Sequence, residues 1–291
     1  MNEALTLYFE DEKEAALRFA QAAGTSTAEV HRHRFPDGEL KLQLPAQLPK
    51  KIFLYRSLVD PNEKLVELLF TAETARQLGA ADITLICPYL AYMRQDIAFH
   101  EGEVVSQKIA GKFLASLFDS VVTVDPHLHR VATLEEAVPV KRPVVLSGAP
   151  LLGEHVVKAR PHAFLLGPDS ESAQWVATAA AAHGLEHATC SKIRRGDKDV
   201  EVQLPEADLR GKAVVILDDV ASSGRTLAKA TQAALKAGAA SVDVAVTHAL
   251  FADDALDIIR QAGVGQVWST DCIRHSSNVV SIASMLANAV L

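Results

Sequence analysis

The sequence holds three cysteines in 291 residues, at Cys87, Cys190 and Cys272. Their wide spacing offers no paired pattern for a zinc site or a disulfide framework, so they read as reduced residues of a core. Cationic excess is missing too: 29 Lys and Arg stand against 36 Asp and Glu, a formal net charge of −7. A general binder of nucleic acid or of a membrane surface needs the opposite balance, so neither partner is expected. An anionic substrate must then be met by cations placed locally. No apolar run approaches the length of a membrane span, and the first twenty residues mix Glu, Asp, Lys and Arg with apolar positions instead of forming a signal peptide. A cytoplasmic protein is expected.

What the chain does have is apolar content, 49%, enough to bury one large or two medium cores. Strand-like runs alternate with helical patterns along its length. Leu5–Phe9 reads as a strand and Asp11–Ala23 as its helix, ended by Gly24. Phe35-Pro36-Asp37-Gly38-Glu39 is a turn between His31 and the alternating Leu40–Leu44, a hairpin. Lys51–Tyr55, Asp82–Cys87 and Ser120–Val124 are further strands, with helices at Asn62–Leu78 and Val105–Phe118. The stretches Pro139–Pro143 and Ser147–Pro150 mark a seam, after which the alternation restarts. Helices follow from about Pro150 and from Leu227 to Lys236, with strands at Ala163–Leu166, His187–Ser191, Val214–Leu217, Val242–Thr247 and Gln266–Ser269. A last helix is expected near Val279–Leu291. Alternation of this kind predicts an α/β fold with mostly parallel sheets covered by helices on both faces.

The stretch richest in chemistry runs from Val214 to Leu227. Four apolar residues lead into Asp218 and Asp219, then Ser222-Ser223-Gly224-Arg225-Thr226, then an alanine-rich helix. A helix start offers unpaired N–H groups and partial positive charge to a phosphate, Gly224 admits close backbone approach, and the Ser223 and Thr226 hydroxyls add donors. The two carboxylates suit sugar hydroxyls or a hydrated Mg2+. An ordinary capped turn explains the same pattern less fully. Other polar segments follow buried strands. Arg94, Gln95 and Asp96 open a long loop; Asp125-Pro126-His127 ends a strand; Gly167-Pro168-Asp169-Ser170-Glu171-Ser172 opens a helix that Ser170 or Ser172 caps, unless its N–H groups take an anion. Lys192 and Arg194, two apart on an extended segment, share one side of it, as a solvated hairpin tip or as charge laid over a phosphoryl group.

In this order the segments resemble the ribose-phosphate diphosphokinases, the synthetases of phosphoribosyl diphosphate (PRPP). Phe35-Pro36-Asp37-Gly38-Glu39 is similar to their F-S-D-G-E, Arg94-Gln95-Asp96 to R-Q-D, Asp125-Pro126-His127 to D-x-H, Gly167-Pro168-Asp169 to S-P-D and Lys192-Ile193-Arg194 to K-x-R. Asp218–Thr226 is similar to their ribose-phosphate loop. The resemblance implies two tandem phosphoribosyltransferase-type domains, residues 1–143 on the ATP side and 144–275 carrying the ribose-phosphate and diphosphate loops, with 276–291 packing back on the first. It implies a Mg2+-dependent transfer of the diphosphoryl group of ATP to ribose 5-phosphate. Arg94, Gln95 and Asp96 would hold ATP with Phe35, Asp37 and Glu39 of a neighbouring subunit, so a homo-oligomer, at least a dimer, is expected. Asp218, Asp219, Ser222, Ser223, Gly224, Arg225 and Thr226 would hold ribose 5-phosphate, His127 and Asp169 would serve the metal and diphosphate, and Lys192 and Arg194 would be catalytic.

Departures from the family pattern keep other readings open. Arg225 stands where the family has a second glycine, adding a phosphate contact or obstructing the sugar phosphate, and Glu171 adds negative charge to the diphosphate loop. Ser222 and the short basic hairpin are closer to the archaeal-type members, which speaks against control by ADP or phosphate. Besides PRPP synthesis from ribose 5-phosphate or another pentose phosphate, the chain reads as a PRPP-using transferase, against which its length speaks, or as a non-catalytic regulatory homologue.

Overall fold

A computed structural model describes residues 4–128, 130–194 and 200–291, and these divide into two units, one from 4 to 146 with 283–291, the other from 147 to 282. In the first unit β1 (Ala4–Tyr8), α1 (Lys13–Ala23) and β2 (Ser26–Glu29) are followed by a hairpin of β3 (His31–Arg34) and β4 (Leu40–Gln43). Then come β5 (Lys51–Tyr55), α2 (Pro61–Gln77), β6 (Asp82–Ile86), α3 (Ser106–Leu117), β7 (Ser120–Val124), α4 (Leu134–Ala137) and β8 (Arg142–Leu146). The sheet runs β2-β1-β5-β6-β7-β8, and every pair in it is parallel.

The second unit repeats that plan. It begins with α5 (Ala149–Ala159), β9 (Phe164–Gly167), α6 (Ala173–Ala181) and β10 (His187–Thr189), then a hairpin of β11 (Ser191–Arg194) and β12 (Val200–Gln203). It continues with β13 (Ala213–Ala221), α7 (Arg225–Lys236), β14 (Ser241–Ala249), α8 (Ala255–Gln261), β15 (Val264–Thr270) and β16 (Asn278–Val280), in the all-parallel order β10-β9-β13-β14-β15-β16. The chain's last helix, α9 (Ala283–Asn288), packs on α1 in the first unit as α5 packs on α6 in the second.

The central strands read as unbroken apolar runs because both of their faces are covered. In β13, Val214 and Ile216 enter the core under α7 and α8, with Leu227, Ala230 and Ile259, while Val215 and Leu217 enter the one under α5 and α6, with Leu152, Val156 and Val176. In the first unit Leu54 and Leu85 meet Leu68 and Leu114 of α2 and α3, and on the other face Phe19 of α1 stacks edge-on against Phe53 at 5.7 Å. Each such buried side chain contributes roughly 1.5–3 kcal/mol. The three cysteines are buried and unbridged. Among the described residues, no helix is long and apolar enough to cross a membrane.

Several elements differ from the pattern reading. The stretch read as a seam contains the start of β8, and the last helix begins at Ala283, its expected first turn being β16. Strand β13 continues through both aspartates to Ala221, because its ladder with β14 extends past Asp218↔Val246 to Ala221↔Ala249.

Candidate active site

In a parallel sheet the strand order reverses beside the first strand, and the loops leaving the carboxyl ends on either side of that point enclose a crevice. In the second unit those loops follow β9 and β13. After β9, the buried Asp169 closes a tight turn: its Oδ1 accepts from Glu171 N–H at 3.0 Å, and the Ser172 hydroxyl donates back to Asp169 O at 2.6 Å. Asp169 therefore caps the 3-10 turn Ser170–Ser172, while Ser172 stands at the N-cap position of α6 without a capping bond from its side chain.

After β13, Ser222, Ser223 and Gly224 lead into α7. The loop is held from outside, because Phe251 N–H donates to Ala221 O at 2.8 Å and Ala252 N–H to Ser222 O at 3.1 Å. Gly224 caps α7 at φ +70°, and a Cβ there would lie 2.8 Å from Ala255 O. Its lack of a side chain thus serves packing on α8 as well as any approach to a ligand. Arg225 is the first residue of α7, exposed and in ordinary helical conformation, so the side chain standing for the family's second glycine strains nothing. The first N–H groups of this helix have no acceptor within it, and Ser223 and Thr226 flank them.

Charge in this crevice is uneven. Loss of solvent and the neighbouring Asp219 and Asp169 carboxylates push the Asp218 carboxyl well above the ordinary carboxylate range. Asp219 is buried, and its N–H donates to Asp218 Oδ1 at 3.0 Å. Hard oxygen donors crowded against one another fit a divalent cation such as Mg2+, which keeps waters and takes one or two carboxylates along with substrate phosphates. Among the described residues, no three His, Cys, Asp or Glu gather into a complete metal cage. Lys192 and Arg194 lie on β11, opposite Val202 and Val200 of β12, and their side chains lie outside the described ones.

The remaining sequence-derived residues belong to the first unit. Phe35, Asp37 and Glu39 are exposed at the tip of the β3–β4 hairpin, where Glu39 N–H donates to Asp37 Oδ1 at 3.2 Å and Gly38 takes φ +93°. Phe35 meets the His33 ring edge-on at 4.9 Å. Arg94 is exposed, and Gln95 Nε2 donates to Ile97 O at 2.9 Å. Asp96 is buried and paired with Arg130, Nη1 to Oδ1 at 2.7 Å. Since Arg130 follows the half-buried His127 by three residues, that pair ties the loop after β6 to the loop after β7. Gln107 of α3 holds the same loop after β6 from its other end, its Nε2 donating to Met93 O at 3.2 Å and its N–H to Gln95 O at 3.2 Å. Neither Arg130 nor Gln107 stands out in the sequence, since nothing local marks an ion pair across 34 residues.

Comparison with known proteins points to one family. Residues 6–117 match the model of the N-terminal domain of ribose phosphate pyrophosphokinase, and residues 153–258 the phosphoribosyl transferase domain. The ribose-phosphate pyrophosphokinase of Methanopyrus kandleri is 31% identical over 277 residues, covering 94% of each chain. Ribose-phosphate pyrophosphokinase 2 of Archaeoglobus fulgidus is 33% identical over 275 residues, 94% of this chain and 96% of that one. The crystal structure of phosphoribosylpyrophosphate synthetase from Mycobacterium smegmatis superposes with a TM-score of 0.82 at 22% identity, over 99% of this chain and 97% of that one, which shows the shared fold.

Proposed function

The chain belongs to the ribose-phosphate pyrophosphokinase family of enzymes, and we propose on that footing that it transfers the diphosphoryl group of ATP to the anomeric hydroxyl of ribose 5-phosphate. The observation that carries this reading is the placement of Asp218 and Asp219 near the carboxyl end of β13, just before the open N-terminus of α7. One crevice thereby offers carboxylates for a sugar or a hydrated cation and N–H groups for a phosphate.

The 5-phosphate is held by the first N–H groups of α7 with the Ser223 and Thr226 hydroxyls, and Ser222, Gly224 and Arg225 shape that cradle. Asp218 and Asp219 orient the ribose. Arg94, Gln95 and Asp96 serve ATP, with Phe35, Asp37 and Glu39 of a neighbouring copy, so the working form is a homo-oligomer. His127 and Asp169 would help to hold a Mg2+ ion, which would supply charge neutralisation and orientation of the phosphates. The sugar's C1 oxygen bonds to the β-phosphorus as the bond to the α–β bridging oxygen breaks. AMP leaves with that oxygen, the hydroxyl proton passes to solvent, and PRPP remains. Lys192 and Arg194 balance the charge that grows on the transferring group, so catalysis rests on positioning and electrostatics.

Purified protein incubated with Mg-ATP and a panel of pentose phosphates tests this: AMP release is expected with ribose 5-phosphate. No AMP with any sugar phosphate would overturn it.

A further inference from the structure

The first unit has the same crevice at the same place in its sheet, between the ends of β1 and β5, and it is filled with charge. Arg56, the residue after β5, is 1% exposed. Its guanidinium lies 4.5 Å over the Phe9 ring, pairs with Asp11 at 2.7 Å and Glu12 at 3.3 Å, and donates to Glu67 of α2. Glu67 is fully buried, and its second carboxylate oxygen accepts from Arg32 Nη1. Arg32 also reaches Asp11 at 3.3 Å, and Arg34 pairs with Glu63, one turn before Glu67 on α2.

Arg32 and Arg34 are the two cations of β3, in the hairpin whose tip carries Phe35, Asp37 and Glu39. An isolated two-stranded hairpin has little stability of its own, so what fixes its direction is whatever grips its strands. Leu42 of β4 packs on the core of the unit, whereas the grip on β3 is ionic, and its inner end is buried, where such pairs are directional and little screened by salt.

We propose that Glu67, clamped by Arg56, is a positioning residue. Through Arg32 it pins the β3–β4 hairpin to α2 and so sets where Phe35, Asp37 and Glu39 are presented to ATP. This rests on the functional reading above. Arg34 and Glu63 are the outer, weaker half of the same pin.

Arg32→Gln tests it without stranding a buried charge, since Glu67 keeps Arg56. Amide hydrogen exchange across residues 31–43 is expected to rise about tenfold while the central strands hold their protection. The KM for ATP is expected to rise about tenfold, with kcat and the KM for ribose 5-phosphate within about twofold of the parent, the signature of lost uniform binding of one substrate. Arg34→Glu should shift the same two readouts, and adding Glu63→Arg should bring both back, which loss of a direct contact from Arg34 to ATP would not allow. Unchanged exchange in Arg32→Gln overturns the pin, and raised exchange with an unchanged KM for ATP overturns its role in positioning. If the parent releases no AMP, the functional reading fails separately, and ATP dissociation constants from calorimetry replace KM. Equal affinity of parent and variant, or no ATP binding at all, then overturns the proposal.

Discussion

The two units share a strand order, a hairpin after the second strand and even a 3-10 turn after the first, at Glu10–Glu12 and Ser170–Ser172, yet their crevices hold opposite things. In the first, a buried guanidinium meets Asp11, Glu12 and Glu67, and Arg32 and Lys64 close the set. In the second, lost solvent and then the neighbouring Asp219 and Asp169 carboxylates push the Asp218 carboxyl well above the ordinary carboxylate range. The hairpins make the same contrast. Arg32 faces Leu42 across its hairpin as Lys192 faces Val202, and Arg34 faces Leu40 as Arg194 faces Val200. One fold therefore carries a self-neutralised ion cluster in one unit and a pair of adjacent carboxylates in the other, consistent with function residing in side chains placed on a scaffold.

Opposite charge balance means that removing a carboxylate should act with opposite sign in the two units. In the first, Glu67→Ala leaves Arg56 buried without its α2 partner, and urea unfolding should show a loss of about 3–5 kcal/mol. A loss below about 1 kcal/mol would show that Asp11 and Glu12 suffice, and the contrast would break there. In the second, Asp218→Asn should lower AMP formation about a hundredfold, the scale for removing one placed electrostatic group. In the absence of divalent cations the same variant should melt higher than the parent. A carboxyl whose folded pKa is raised stabilises fully below its ordinary pKa and loses that contribution as pH rises through the raised value. The gain in Tm should accordingly be larger at pH 8 than at pH 5. A lower Tm for Asp218→Asn at both pH values would mean that its charge is compensated in the unliganded protein.

The same contrast explains what could be read from the sequence. The central strands were legible because burial on both faces leaves β-branched runs such as Val214–Leu217, and the family's motifs made the second crevice legible because each is a short local pattern. Strands β2, β8 and β16 were not, and all three lie at sheet edges, where little apolar content is demanded and a proline such as Pro143 is tolerated. The extent of β13 was missed because a pattern reading stops at the first charge, whereas backbone pairing with β14 continues through it. The ion network of the first unit was illegible for a different reason. Its members, Asp11, Arg32, Arg56 and Glu67, are scattered over more than fifty positions, and only folding makes them neighbours. A faint signal did exist in Leu40-Lys41-Leu42-Gln43-Leu44-Pro45, which recurs as Val200-Glu201-Val202-Gln203-Leu204-Pro205 and marks the two hairpins as copies.

A smaller effect separates two glycines of positive φ, Gly224 before α7 and Gly38 in the β3–β4 turn. Gly224→Ala meets both a left-handed φ of +70° and the Ala255 carbonyl, so a loss of about 1–3 kcal/mol is expected in urea unfolding, with a matching rise in the KM for ribose 5-phosphate. Gly38→Ala, at φ +93° with open space around it, should cost only the backbone share, about 1 kcal/mol. Equal losses at the two sites would mean that α8 yields to the added methyl group.

The smallest expected effect bears on Arg225, which in the loop after β13 stands where the family has a second glycine. Arg225 is exposed at the first position of α7, where a cation opposes the helix's own partial positive charge, and a second copy of that charge is useful only if an anion is bound between them. Arg225→Ala removes the side chain, keeps good helix propensity and leaves the N–H groups in place. Because the guanidinium is solvated, its contribution is that of a surface pair, up to about 1 kcal/mol, so the KM for ribose 5-phosphate should rise about threefold at low salt and less at high salt. A fall in KM would instead identify Arg225 as an obstruction, and a pentose phosphate whose KM rises by more than that of ribose 5-phosphate would identify the substrate this arginine suits better.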